Sequence, residues 1–152
     1  MFYFVWDSSL ETGIDIIDTQ HRQIVDYINR LHDAIAENDR AIIHEVLDQV
    51  VNYTLTHFAF EEKMIERAGY RHCEAHKEVH RVFTERVQHY RVRLAHGEDV
   101  AKKLLSDLRI WLTNHIRNED RDFAPVVREH LQRGSAEDQG WLARTLSRMF
   151  SR

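Results

Sequence analysis

The sequence predicts an all-α fold: an antiparallel up-down four-helix bundle with an N-terminal arm and a short C-terminal amphipathic helix. Three observations lead there. Only one Pro and five Gly occur in 152 residues, which leaves few forced breaks and favours long helices over many short strands. Gly69, Gly97 and Gly134 fall between periodic stretches, each where a left-handed residue can end a helix. In four of those stretches apolar residues recur at alternating spacings of three and four.

Each element has its own signature. An aromatic arm, Phe2, Tyr3, Phe4 and Trp6, is too short to fold alone and apolar enough to lie against the bundle. A first helix over 18–37 carries the seam Ile17, His21, Ile24, Ile28, Leu31, Ile35. Asn38 and Asp39 break the chain, and either can cap the next helix. That second helix, 40–67, runs Ile43, Leu47, Val50, Thr54, His57, Glu61, Ile65. The third, 71–95, runs Cys73, His76, His80, Phe83, Val87, Tyr90, Leu94, and the fourth, 98–121, runs Ala101, Leu105, Leu108, Leu112, His115, Glu119. Connections this short force neighbouring helices antiparallel. Pro125 should end or kink the fourth helix. This gives a bundle with its arm over 1–134 and a separate tail helix over 135–152.

Composition narrows the class. With 21 Lys and Arg against 25 Asp and Glu, the formal charge is -4, which gives no general attraction to nucleic acid. Cys73 has no partner within the chain, so a disulfide framework is excluded. The longest apolar run, Met1 to Trp6, is far short of the ~20 residues a bilayer span needs, and no basic segment precedes it. The expectation is a soluble, cytoplasmic protein.

The unusual feature is 11 histidines, and all four seams are interrupted by one or more of them. One buried imidazole is ordinary, because a carbonyl or a water can satisfy it. Five of them with Glu61 place six polar groups on core faces, and each would cost about 1–3 kcal/mol if left unpaired. A metal satisfies them directly. His57 with Glu61 and His76 with His80 are i, i+4 pairs, so each leaves its helix on one face. Imidazole and carboxylate without thiolate suit iron, zinc or manganese, and a structural zinc needs only four donors. The segment HKEVH at 76–80 lacks the HExxH protease pattern, and no Glu has a His three residues later, as the oxygen-activating carboxylate-rich bundles require. Two metals sharing carboxylates fit better.

Those residues resemble the hemerythrin family, specifically its bacterial single-domain bacteriohemerythrins. The matching features are Trp6, TGIDIID with TQH ending at His21, HFAFEE at 57–62, HKEVH at 76–80 and WLTNHIRNED at 111–120, in the family's order over roughly residues 6 to 123. The resemblance implies a di-iron centre, oxo- or hydroxo-bridged. It puts His76, His80 and His115 on one iron, His21 and His57 on the other, and Glu61 and Asp120 between them. Spacing alone favours Glu119 over Asp120, because five residues advance a helix by about 140° beyond a full turn. A helix locally overwound or bulged there would reconcile the two.

Two six-coordinate irons offer twelve positions, and five histidines, two bridging carboxylates and a bridging oxygen fill eleven. The resemblance thus leaves one place for dioxygen, on the two-histidine iron. Ile24, Phe58, Trp111 and Leu112, beside or one turn from ligands, are the expected oxygen pocket, excluding water and offering no acid. Reversible oxygen binding for storage, delivery or sensing is the function implied. A di-iron redox enzyme acting on peroxide or nitric oxide, and an iron-responsive interaction module, are the alternatives. His32, His44, His72, His89, His96 and His130 lie off the seams and are expected at the surface, and Cys73 is expected to be inert packing. In the tail, Trp141, Leu142, Leu146, Met149 and Phe150 share one side and Arg144, Arg148 and Arg152 another. That pattern suits either a fold back onto the bundle or, through 141–152, docking of a protein client or an anionic membrane surface.

Overall fold

The computed structural model describes residues 2–150; Met1, at the head of the arm, and Ser151 and Arg152, closing the tail, lie outside the described residues. A short 3₁₀ turn, Ser8–Leu10, precedes α1 (Asp15–Ala36), α2 (Arg40–Arg67), α3 (Cys73–Ala95) and α4 (Ala101–His115). A π turn, Ile116–Asp120, joins α4 to α5 (Arg121–Arg133), and α6 (Ala136–Phe150) comes last. α1 packs on α2 and α4, α2 on α3, and α3 on α4, the adjacency of an up-down bundle. None of the described helices is long and apolar enough to cross a membrane.

The helix ends are set by local chemistry. α1 starts three residues before the predicted start at 18, because Asp18 reaches back to accept from the Thr12 and Gly13 amides at 2.8 and 3.1 Å and ties the entering loop to the first turn. At its far end Asn38 takes a left-handed conformation, φ +56°, and Asp39 then caps α2 by accepting from Ile42 N–H at 3.2 Å. The two polar residues divide the work of the break. Gly69, at φ +76°, closes α2 in a Schellman turn, with Tyr70 N–H bonded to Ile65 C=O at 3.0 Å and its own N–H to Glu66 C=O at 3.1 Å.

The fourth helix neither stops nor breaks at Pro125. It widens into the π turn just before it and then runs through the proline to Arg133. Pro125 and Arg121 both face solvent. The Arg121 carbonyl, which loses its amide partner four residues on, can therefore be met by water, and that lowers the cost of an interior proline.

The core comes in two parts. One cluster, with Ile24, Ile28, Val50, Phe58, Phe83, Leu108 and Leu112, fills the bundle toward the arm. The other, with Ile17, Phe60, Met64, Tyr70, Phe123 and Val127, fills the opposite end. On α1 and α3 the histidines of the seam fall between these halves, and on α2 and α4 they lie at the edge of the first. The arm lies on the first half: Phe4 is buried, its amide and carbonyl paired with the Asn29 side chain at 2.8 and 2.9 Å, while Phe2 stays exposed.

α6 lies back along the bundle. Trp141 stacks on Phe60 with ring centroids 6.3 Å apart, Phe150 meets Phe60 edge-on at 5.8 Å, and Leu142, Leu146 and Met149 pack on the second cluster. Arg67 of α2 bonds Asp138 at 2.7 Å and lies 4.5 Å over the Trp141 ring. Trp141→Ala should lower stability by about 2 kcal/mol, less than for a fully buried ring because Trp141 is half-buried. Urea unfolding followed by circular dichroism would measure this, with bound metal expected to be unchanged.

Candidate metal centre

Between the two apolar halves lie His21 from α1, His57 and Glu61 from α2, His76 and His80 from α3, His115 from α4 and Asp120 from the π turn. None is more than 3% exposed. The polar interruptions of all four predicted seams therefore meet at one layer. Glu61 Oε1 faces His76 Nε2 at 2.6 Å and His80 Nε2 at 3.3 Å, whereas its Oε2 faces His57 Nε2 at 3.1 Å and His21 Nε2 at 3.8 Å. Asp120 divides in the same way: Oδ1 lies 3.1 Å from His115 Nε2 and 3.4 Å from His76 Nε2, and Oδ2 lies 3.2 Å from His21 Nε2. Each carboxylate thus turns one oxygen to a group of three imidazoles and the other to a group of two.

The π turn places Asp120. In an α-helix Glu119 succeeds His115 on one face, but i→i+5 spacing stacks the fifth residue there instead. Glu119 is displaced outward, 40% exposed, with its Oε2 3.5 Å from the outer nitrogen of His115. The spacing-based expectation of an inward Glu119 is thereby corrected: the segment is bulged, not overwound.

The donor set passes a test for metal on its own terms. His21 Nδ1 and Nε2, Glu61 Oε2 and both Asp120 oxygens are buried without a hydrogen-bond partner among the described residues. The Nε2 atoms of His80 and His115 face each other at 3.0 Å. Cations between these groups would satisfy every one of the inward-facing atoms, and two carboxylates with neutral imidazoles suit divalent ions. The donor atoms of Glu61, His76, His80, His115 and Asp120 lie within 4.8 Å of one another, as do those of His21, His57 and Glu61.

Protons respond to the same field. Burial opposes a charge on His21, but the close approach of the Asp120 and Glu61 carboxylates outweighs it and raises the imidazole to about 9. Burial is likewise overcome at His115, where the charge of the adjacent Asp120 carboxylate lifts it to about 10. Glu61 is held well below the usual carboxylate range: burial raises it, but the charge at His57, the close approach of His21 and the hydrogen bond from His76 prevail. Asp120, raised by burial and by Glu61, is brought down to about 2 by His115 and His21.

Of the apolar residues singled out from sequence, two touch this layer directly. Ile24, Phe58 and Leu112 are buried in the first core cluster, with Trp111 packed on it. Phe58 stacks on His80 at 3.9 Å, and Trp111 stacks on both His115, at 4.4 Å, and Phe83, at 3.8 Å. Three polar contacts go beyond the sequence-based expectation: Gln20 Oε1 meets His57 Nδ1 at 2.6 Å, Glu62 meets His80 Nδ1 at 3.1 Å, and Glu119 stands behind His115. Gln20 was detectable, since it sits three residues after Ile17 and four before Ile24, on the flank of the seam. Of the off-seam histidines, His44, His72, His89 and His96 are exposed, and His32 and His130 are half-buried.

Comparison with known proteins agrees with this geometry. Residues 12–127 match the hemerythrin HHE cation binding domain. The chain is 49% identical to a bacteriohemerythrin of Stenotrophomonas maltophilia and 46% identical to one of Pseudomonas aeruginosa, each over 152 residues and 99% of both chains. A crystal structure of wild-type hemerythrin superposes with a TM-score of 0.78 at 29% identity, covering 82% of this chain and 98% of that one. The chain belongs to the hemerythrin family, within its bacteriohemerythrin branch.

Proposed function

We propose that the chain binds dioxygen reversibly at a non-heme di-iron centre, as an oxygen-binding protein and not an enzyme. The observation that carries this reading is the division of Glu61 and Asp120, each carboxylate presenting one oxygen to a two-histidine group and the other to a three-histidine group. His76, His80 and His115 would hold one iron and His21 and His57 the other, with both carboxylates bridging. When bound, the two ferrous ions supply the electrons that dioxygen takes up and returns.

The protein's part is to hold and to shield. Two imidazoles on one side against three on the other leave room for one further ligand at the two-histidine position. Phe58, Trp111, Ile24 and Leu112 keep bulk water from the layer and carry no acidic proton that could drive O–O cleavage. One feature suits the alternative, a redox enzyme acting on peroxide or nitric oxide: clefts of about 280 and 310 Å³ reach His115 and His76 from solvent, with Asn118 and Glu119 on both. We place the protein in the cytoplasm, a reading supported by its single, buried, unpaired cysteine. Because the apolar side of α6 is turned to the bundle, a client protein or an anionic membrane would meet the exposed Arg144 and Arg148.

Proton linkage tests the donor set without oxygen. His21 and His115 are raised from 6.5 to about 9 and about 10, so in metal-free protein their stabilisation is complete below pH 6.5 and lost as pH rises through those values. Glu61 and Asp120, held low, stabilise above their ordinary range near 4 and lose that effect only as pH falls, toward about 2 for Asp120. The metal-free chain should therefore unfold at lower denaturant at pH 10 than at pH 6. The iron-loaded chain should not show this decline, and loading should release protons. An equal decline in both would remove metal from this layer.

The bridge is tested by neighbours. Asp120→Ala should reduce bound iron below two per chain by elemental analysis, whereas Glu119→Ala should keep both; the reverse result would restore the spacing-based assignment. For function, the reduced protein is exposed to air and then freed of oxygen. Return of the ferrous spectrum over several cycles is expected of a carrier, while irreversible oxidation or steady turnover would favour the enzyme.

A further inference from the structure

The outer nitrogens of the ligand histidines are not treated alike. His80 Nδ1, on the three-histidine side, is backed by the Glu62 carboxylate at 3.1 Å. His57 Nδ1, on the two-histidine side, is backed by the uncharged Gln20 amide at 2.6 Å. Gln20 is 4% exposed and forms part of the floor of a groove of about 830 Å³ between α1, α2 and the end of α6, walled by Tyr27, Tyr53 and Phe150. Its amide therefore stands between that groove and a donor of the metal layer.

We infer that Gln20 is a positioning residue for the two-histidine metal position, where its Oε1 accepts from His57 Nδ1–H and so aims the Nε2 lone pair at the ion. The inference rests on the di-iron reading. Its physical basis is that an imidazole ligand must carry its proton on the nitrogen away from the metal, and a fixed acceptor there selects that tautomer and ring orientation. A carboxylate acceptor would also draw the proton and make the ring a stronger donor; a neutral amide orients without doing so. The position that takes the exogenous ligand thus has an oriented but weaker donor than the side backed by Glu62. Gln23, one turn along α1, lines the same groove without a hydrogen bond to His57 and serves as the control.

The test is an anaerobic cobalt(II) titration of the full-length metal-free chain, followed by visible absorption and equilibrium dialysis. Wild type should take up two equivalents. Gln20→Ala should bind one with unchanged affinity and the other about 10–100-fold more weakly. Gln20→Glu, which keeps an acceptor oxygen at the same reach, should recover the second site with shifted cobalt bands, and Gln23→Ala should match wild type. Wild-type affinity and bands in Gln20→Ala would overturn the inference, and equal losses in Gln20→Ala and Gln23→Ala would overturn it by assigning both residues to groove packing. Absence of cobalt uptake by wild type would instead sink the two-metal reading on which the inference stands.

Discussion

Two carboxylates buried in one layer with five imidazoles constitute the constraint on which the rest of the structure depends. A charge taken from water into such a layer is costly unless it is paired and its lone pairs are satisfied. Here both Asp120 oxygens and one from Glu61 have no hydrogen-bond donor among the described residues. The apolar core cannot absorb this cost, since it is itself divided by the layer into two clusters. Bound cations would join the halves by drawing together donors from α1, α2, α3 and α4 with the π turn. In their absence protons do part of that work, as the raised imidazoles His21 and His115 indicate.

The same constraint accounts for the π turn in the bundle. Beyond His115 an unbroken α-helical seam would pass through Glu119, Asp122 and Val126, yet the residues buried there are Asp120, Phe123 and Val127. Each lies one position later, which is the slip that a single π turn introduces. That slip was written in the sequence. A charged Glu119 and Asp122 on the extrapolated seam, with Phe123 one step beyond, mark a change of phase that Pro125 masked by suggesting an end to the helix. The proline proved tolerable because its side of the helix is wet, and exposure of that kind depends on tertiary packing.

Elsewhere legibility tracked the strength of the physical signal. Histidines on apolar seams could be read directly, because nothing else explains so many on core faces, and the left-handed helix ends at Gly69, Gly97 and Gly134 were marked by glycine, whereas the one at Asn38 was legible only as a polar break. Helix starts were less legible: α1 begins at Asp15 because of an Asp18 side chain that ties down its own approach loop, a contact with no periodic signature. Glu62 and Glu119 each lie close in sequence to a predicted ligand and read as solvated face, since only the helix packing reveals that they stand behind His80 and His115. For the tail, sequence left docking and folding back open, and Phe60 decides how its apolar face is used: a fully buried ring on α2, it meets both Trp141 and Phe150.

Shielding of the layer is correspondingly uneven. On the three-histidine side it is aromatic, with Phe58 on His80 and Trp111 on His115, each touching its ligand through the ring face, and Phe83 behind Trp111. On the two-histidine side the large groove brings solvent to within one side chain of His57, and that side chain is an amide. An apolar residue at position 20 would shut out water as well but would leave His57 Nδ1–H unpaired. A carboxylate would satisfy it while adding a third negative charge next to a layer that already holds two. Glutamine meets both demands, so the choice at this position is governed by the same electrostatics that assembled the layer.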